Sequence, residues 1–146
     1  MSRRDARETA MKLIYQQTIN KVDVEDVSTL ELAMFRDEDE KIVINDRDQV
    51  YIKDVIAGVE KTQGVLDEII EKLAVGWKLE RMPLVDLSIM RLAIYEMKFR
   101  EDIPVSVAIN ESVELSKKYC GESSSAAING ILGNFARTAL SKERLK

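Results

Sequence analysis

The sequence contains no histidine, and that absence removes both the commonest general acid/base and the commonest metal ligand. Ser-His-Asp and Cys-His catalysis are excluded within the chain. Cysteine occurs once, as Cys120, so no intramolecular disulfide can form, and zinc sites built from Cys and His are excluded with it. A lone thiol favours a reducing compartment. No stretch approaches the roughly 20 apolar residues needed to cross a bilayer. The basic N-terminus carries Lys12, Gln16 and Gln17 where a signal peptide needs an apolar core, so the expected location is the cytoplasm, with no membrane association. Neither G-x-x-x-x-G-K nor G-x-G-x-x-G occurs, and Asp37, Glu38, Asp39 and Glu40 lack EF-hand spacing. No catalytic residue, metal ligand or cofactor is expected.

What remains is a chain of 146 residues, 45% hydrophobic and 33% charged, a length and balance that suit one soluble domain with a real core. The net charge of −4 argues at first against nucleic acid, but it is unevenly placed. Arg3, Arg4, Arg7 and Lys12 stand against Asp5 and Glu8, a local excess of +2 that leaves −6 on the rest. Screening confines surface fields to about 8–10 Å, so the local patch matters more than the total.

Only two prolines occur, Pro83 and Pro104, and each sits where a helix would begin. The patterning predicts helices throughout. The first covers Arg3 to Ile19, with Ser2 as N-cap and Ala6, Ala10, Leu13 and Ile14 on one face. A second covers about Val24 to Phe35, followed by the charge run 36–41 and by Ile42-Val43-Ile44, both expected as loop. A third, capped by Asn45 or Asp46, carries Ile52, Val55, Ile56 and Val59; Gly64 is expected to break or bend the chain before a fourth with Leu66, Ile69, Ile70 and Leu73. Pro83 to Phe99 is apolar nearly all round, as a central buried helix would be. A sixth follows Pro104, with Ser106 as a cap, Ile109 and Val113 inward, a Glu114–Lys118 pair outside and Gly121 as its stop. Ser123, Ser124 and Ser125 offer caps for the last. About seven short helices imply a compact all-α bundle.

At about 100° per residue, Arg3, Arg4, Arg7 and Tyr15 share one arc of the first helix beside its apolar face. Guanidinium groups grip phosphates and a tyrosine ring can stack an unpaired base, so this face suits single-stranded RNA; the alternative is a solvated face with an Arg4–Glu8 pair. Arg91, inside the most apolar helix, calls for a structural ion pair with Asp86, Glu96 or Glu111. Asp86 near a helix start is stabilised by the macrodipole. Gly130 and Gly133 inside the last helix point to close helix–helix approach, extended by Ala126 or Ala127. Cys120, with no histidine to activate it, reads as a packed thiol.

Four stretches resemble the NusB family of bacterial transcription antitermination factors. They are Arg3-Arg4…Arg7-Glu8 with Tyr15; Val85-Asp86-Leu87-Ser88-Ile89-Met90-Arg91-Leu92-Ala93-Ile94-Tyr95-Glu96; Asp102-Ile103-Pro104 through Val107-Ala108-Ile109-Asn110-Glu111 to Lys117-Lys118-Tyr119; and Ile128-Asn129-Gly130-Ile131-Leu132. The resemblance implies an all-α fold of two small helical subdomains, about 1–78 and 79–146. It implies binding to the boxA element of ribosomal RNA leader transcripts together with NusE, a ribosomal small-subunit protein, alongside other Nus factors and RNA polymerase. No catalysis is implied. By the same resemblance Arg3, Arg4, Arg7 and Tyr15 face RNA, as do Glu122, Ser123 and Ser124 entering the last helix, while Glu80 and Asp86 match a region associated with NusE. Many members carry Lys-Phe where this chain has Ala126-Ala127, which implies weaker RNA binding and dependence on a partner. Two alternatives stay open: a protein-interaction module whose RNA contact is largely lost, and a homodimer that masks its RNA face.

Overall fold

The computed structural model describes residues 2–20 and 45–138. Helix α1, Arg3–Asn20, starts where the sequence places its cap. The Ser2 hydroxyl accepts from the Asp5 backbone N–H at 3.1 Å, while the Asp5 carboxylate accepts from the Ser2 N–H at 3.2 Å. This reciprocal arrangement is that of a capping box. Ala6, Ala10, Met11, Leu13 and Ile14 are buried along one side of the helix.

Helix α2, Asp46–Leu73, is capped by Asn45, whose side-chain oxygen accepts from the Asp48 N–H at 2.8 Å. It runs 28 residues without the break expected at Gly64. The reason lies in the spacing. Leu66 falls seven residues after Val59, so the buried stripe of Ile52, Val55, Ile56, Val59, Leu66 and Ile70 stays in phase across the glycine. An interior glycine costs about 1 kcal/mol, which this burial outweighs. Gly76, at φ +79°, lies just past the helix end in the left-handed conformation that glycine adopts most readily.

After a single 3-10 turn at Leu79–Arg81 come α3 (Leu84–Phe99), α4 (Val105–Tyr119) and α5 (Glu122–Thr138), which pack against one another in every pairing. Every residue of α3 from Asp86 to Met97 is buried, as its all-round apolar character required. Helix α4 begins directly after Pro104, so Ser106 lies inside its first turn and is no cap. Its buried stripe is Ala108, Ser112, Leu115 and Ser116, with Ile109 and Val113 half-buried. Glu114 pairs with Lys117 at 3.4 Å rather than with Lys118, which lies over the Tyr119 ring. Gly121, at φ +91°, stops the helix as anticipated.

The last helix begins at Glu122, one residue ahead of the serines expected to cap it. Ser125 instead donates its hydroxyl to the Gly121 carbonyl and meets the Ser116 hydroxyl at 3.0 Å, a buried polar link between α4 and α5. Gly130 and Gly133 serve no close helix approach. A Cβ at Gly130 would meet nothing within 4 Å, and one at Gly133 would meet only the Arg137 side chain of its own helix.

The described residues thus form five α-helices and no strand, an all-α fold with fewer helices than the seven expected. Two expected helices are one continuous helix. The helix expected at 24–35, the charge run and the 42–44 segment lie outside the described residues. The chain divides into two compact units, Met1–Lys61 and Thr62–Lys146, with the division inside α2.

Candidate nucleic-acid interface

In the first unit, α1 and the start of α2 gather the arginines around a ring that the sequence pattern did not flag. Tyr51 is buried at 1% exposure. The guanidinium carbon of Arg3 lies 4.4 Å from its ring centre and that of Arg7 lies 5.8 Å away. Positions 3 and 7 are neighbours one helical turn apart, so two like charges would repel if nothing separated their effects. The negative face of the Tyr51 ring and the buried carboxylate of Asp48 offset that repulsion. Asp48 sits in the first turn of α2, where the helix dipole favours a negative charge. Its Oδ1 lies 3.5 Å from Arg3 Nε, an ion pair too long for a good hydrogen bond, and that Nε is enclosed without a hydrogen-bond partner.

The expected RNA-facing residues therefore separate. Arg4 is exposed and Arg3 keeps about a third of its side chain open, at 35%. Arg7 is enclosed at 3%, so its guanidinium cannot reach a phosphate as it stands. Tyr15 is half-buried, about 12 Å further along α1 than Arg7. Tyr51 and Asp48 were missed because they lie more than 40 residues from Arg3 and Arg7, and nothing local announces a tertiary ring contact.

In the second unit, Glu122 and Ser123 are exposed and Ser124 is half-buried in the first turn of α5. Ser123 and Ser124 line a cleft of about 620 Å³ whose walls include Trp77, Ala126 and Ala127. Glu80 is exposed on the 3-10 turn, whereas Asp86 is buried at 2% near the start of α3. Asp86 faces Cys120, whose thiol is pushed up from 9.0 to about 12, first by burial and then by its hydrogen bond to the Asp86 carboxylate and that group's charge. Asp86 Oδ2 is enclosed without a hydrogen-bond partner.

The buried arginine of α3 does form an ion pair, but with none of the three expected carboxylates. Arg91 donates from Nε and from a terminal nitrogen to the two oxygens of Asp67, at 2.8 and 2.9 Å. Asp86 is five residues away, on another side of the helix, and is turned to Cys120. Among the described residues no group of three or more acidic or cysteine side chains could hold a metal ion, and no helix is long and apolar enough to cross a membrane.

Comparison with known proteins gives concordant results. The transcription antitermination protein NusB of Ruminiclostridium cellulolyticum is 47% identical over 143 residues, covering 98% of this chain and 94% of that protein. A solved structure of T. maritima NusB superposes with a TM-score of 0.80 at 28% identity, covering 99% of this chain and 96% of the other. A NusB structure solved with NusE and double-stranded RNA shares the fold, with a TM-score of 0.77 at 23% identity over 92% of this chain and 96% of that one. The NusB family model matches residues 4–137, nearly the full length, and the chain belongs to the NusB family.

Proposed function

We propose that this chain is a cytoplasmic RNA-binding antitermination factor, a binding protein and not an enzyme. It binds the boxA element of ribosomal RNA leader transcripts together with NusE and supports ribosomal RNA transcription, joining other Nus factors on RNA polymerase. The observation that carries this reading is the family match across residues 4–137. The fold neighbour solved with NusE and double-stranded RNA supports the choice of partners. The α1 cluster adds a physical reason. Arg3 is held over Tyr51 with part of its side chain open, so little rotamer entropy is left to lose when it meets a phosphate. Arg4 beside it is exposed. Glu122, Ser123 and Ser124 supply polar groups on α5, Tyr15 a ring on α1, and Glu80 and Asp86 mark the NusE side, Asp86 acting from within the fold.

Titration of boxA RNA with and without NusE, at two salt concentrations, tests the proposal. Binding should exceed that of a scrambled RNA and weaken with salt, with a slope near −0.7 per phosphate neutralised on a single strand. Equal binding of boxA and scrambled RNA in the presence of NusE would sink it. Burial of Arg7 favours a second reading, a protein-interaction module with residual RNA contact. NusE binding that persists while RNA adds no affinity would select that one.

A further inference from the structure

Asp48 works against the charge of the arginine cluster. Its side chain is 6% exposed, and Oδ1 lies 3.5 Å from Arg3 Nε. That Nε has no hydrogen-bond partner, so Asp48 acts on Arg3 through its charge. Among the described residues Asp48 is the one carboxylate paired with Arg3. About a third of the Arg3 side chain stays open, and Arg4 beside it is exposed. A phosphate arriving on this face therefore meets a guanidinium whose charge is already partly neutralised from within the protein. The carboxylate is nearly buried, so salt screens it far less than it screens the exposed arginines. Its position is fixed at the start of α2, where Asn45 caps the helix through the Asp48 N–H.

We propose that Asp48 sets an upper limit on the affinity of this face for RNA, as a built-in counter-charge that competes with phosphate for Arg3. The proposal rests on the RNA-binding reading above and adds to it a residue that opposes the contact. Phosphate contacts carry no sequence information, so tempering them leaves more of the recognition to base contacts and to a protein partner.

Asp48→Asn keeps the shape and removes the charge. The free variant holds an enclosed cation without its carboxylate, so it should melt at a lower temperature than the parent. A bound phosphate restores the counter-charge. Affinity for a labelled boxA oligoribonucleotide, read by anisotropy with NusE present, should therefore rise about threefold or more. The gap in melting temperature between variant and parent should narrow when RNA is bound. A scrambled RNA should gain by the same factor, and the gain should vanish when Arg3→Gln is added. Asp48→Ser, a second neutral variant, should behave alike. Variants that melt lower but bind RNA no better would give Asp48 a purely structural role and overturn the proposal. A gain confined to boxA, or one that survives Arg3→Gln, would also overturn it while RNA binding itself stood. A parent that binds no RNA even with NusE would overturn the RNA reading, and the limit with it.

Discussion

The guanidinium of Arg3 lies 4.4 Å from the centre of the buried Tyr51 ring, tying the first turn of α1 to the second turn of α2. Because the ion pair of Arg3 with Asp48 is loose at 3.5 Å, the ring should carry most of the attachment. A double-mutant cycle of Arg3→Met and Tyr51→Leu should therefore yield a coupling energy of about 1 kcal/mol in urea denaturation. A coupling of zero would show that the ring only fills space.

Arg4 and Arg7, three residues apart on α1, should behave as different kinds of residue. Arg7 is enclosed, so Arg7→Ala leaves a void and strands the groups that surround it, at a cost of about 2–4 kcal/mol. Arg4 is exposed, and Arg4→Ala should stay within about 0.5 kcal/mol of the parent while weakening RNA binding and flattening its salt dependence. Urea denaturation and RNA titration on the same two variants check both halves. An Arg7→Ala protein of unchanged stability would contradict the enclosed position.

Arg91 and Asp67 form a bidentate ion pair, and it should respond asymmetrically. Arg91 is 5% exposed at its side chain and Asp67 19%. Asp67→Ala leaves a nearly buried cation without its bidentate partner and should cost about 3 kcal/mol. Adding Arg91→Met to that variant removes the stranded charge and should recover part of the loss. Denaturant midpoints of the two single variants and the double variant decide it; a double variant no more stable than Asp67→Ala would show that the pair is not what Asp67 contributes.

Local chemistry was legible before any tertiary contact was known. The Ser2 and Asn45 caps, the Gly121 stop and the all-round apolar α3 follow from interactions within a turn or two, and the helices carry them out. The break expected at Gly64 and the partner of Arg91 depend on distant contacts, unlike the misplaced Ser106 cap and Glu114–Lys118 pair, which are local. Whether Gly64 breaks a helix depends on whether Leu66 and Ile70 are buried in phase with Val59, which spacing permits but does not decide. The partner of Arg91 lies 24 residues upstream on another helix, while nearer carboxylates competed for the assignment. In the candidate site, the arginine cluster was visible but the ring beneath it was not. Ala126-Ala127, taken through the family resemblance as a weakening of RNA binding, lines a cleft that contains a tryptophan from outside the last helix.

Asp86 and Cys120 give the chain a pH-dependent contact whose sign can be worked out. The folded thiol is raised to about 12 from 9.0, chiefly by burial and further by the adjacent carboxylate, so the folded state holds this proton more tightly than the unfolded state does. Its contribution to stability is complete below pH 9 and is lost as pH rises toward about 12. At pH 8 the thiolate fraction should be about a thousandfold lower than in the unfolded chain, and alkylation correspondingly slow. Asp86→Asn removes the charge but keeps the burial, so the thiol should fall only part of the way back and react faster than in the parent. Mass spectrometry of iodoacetamide labelling against pH, for folded parent, folded variant and parent in urea, measures all three. If the folded parent reacted at pH 8 as fast as the unfolded chain, Cys120 would not be held by Asp86 in this way.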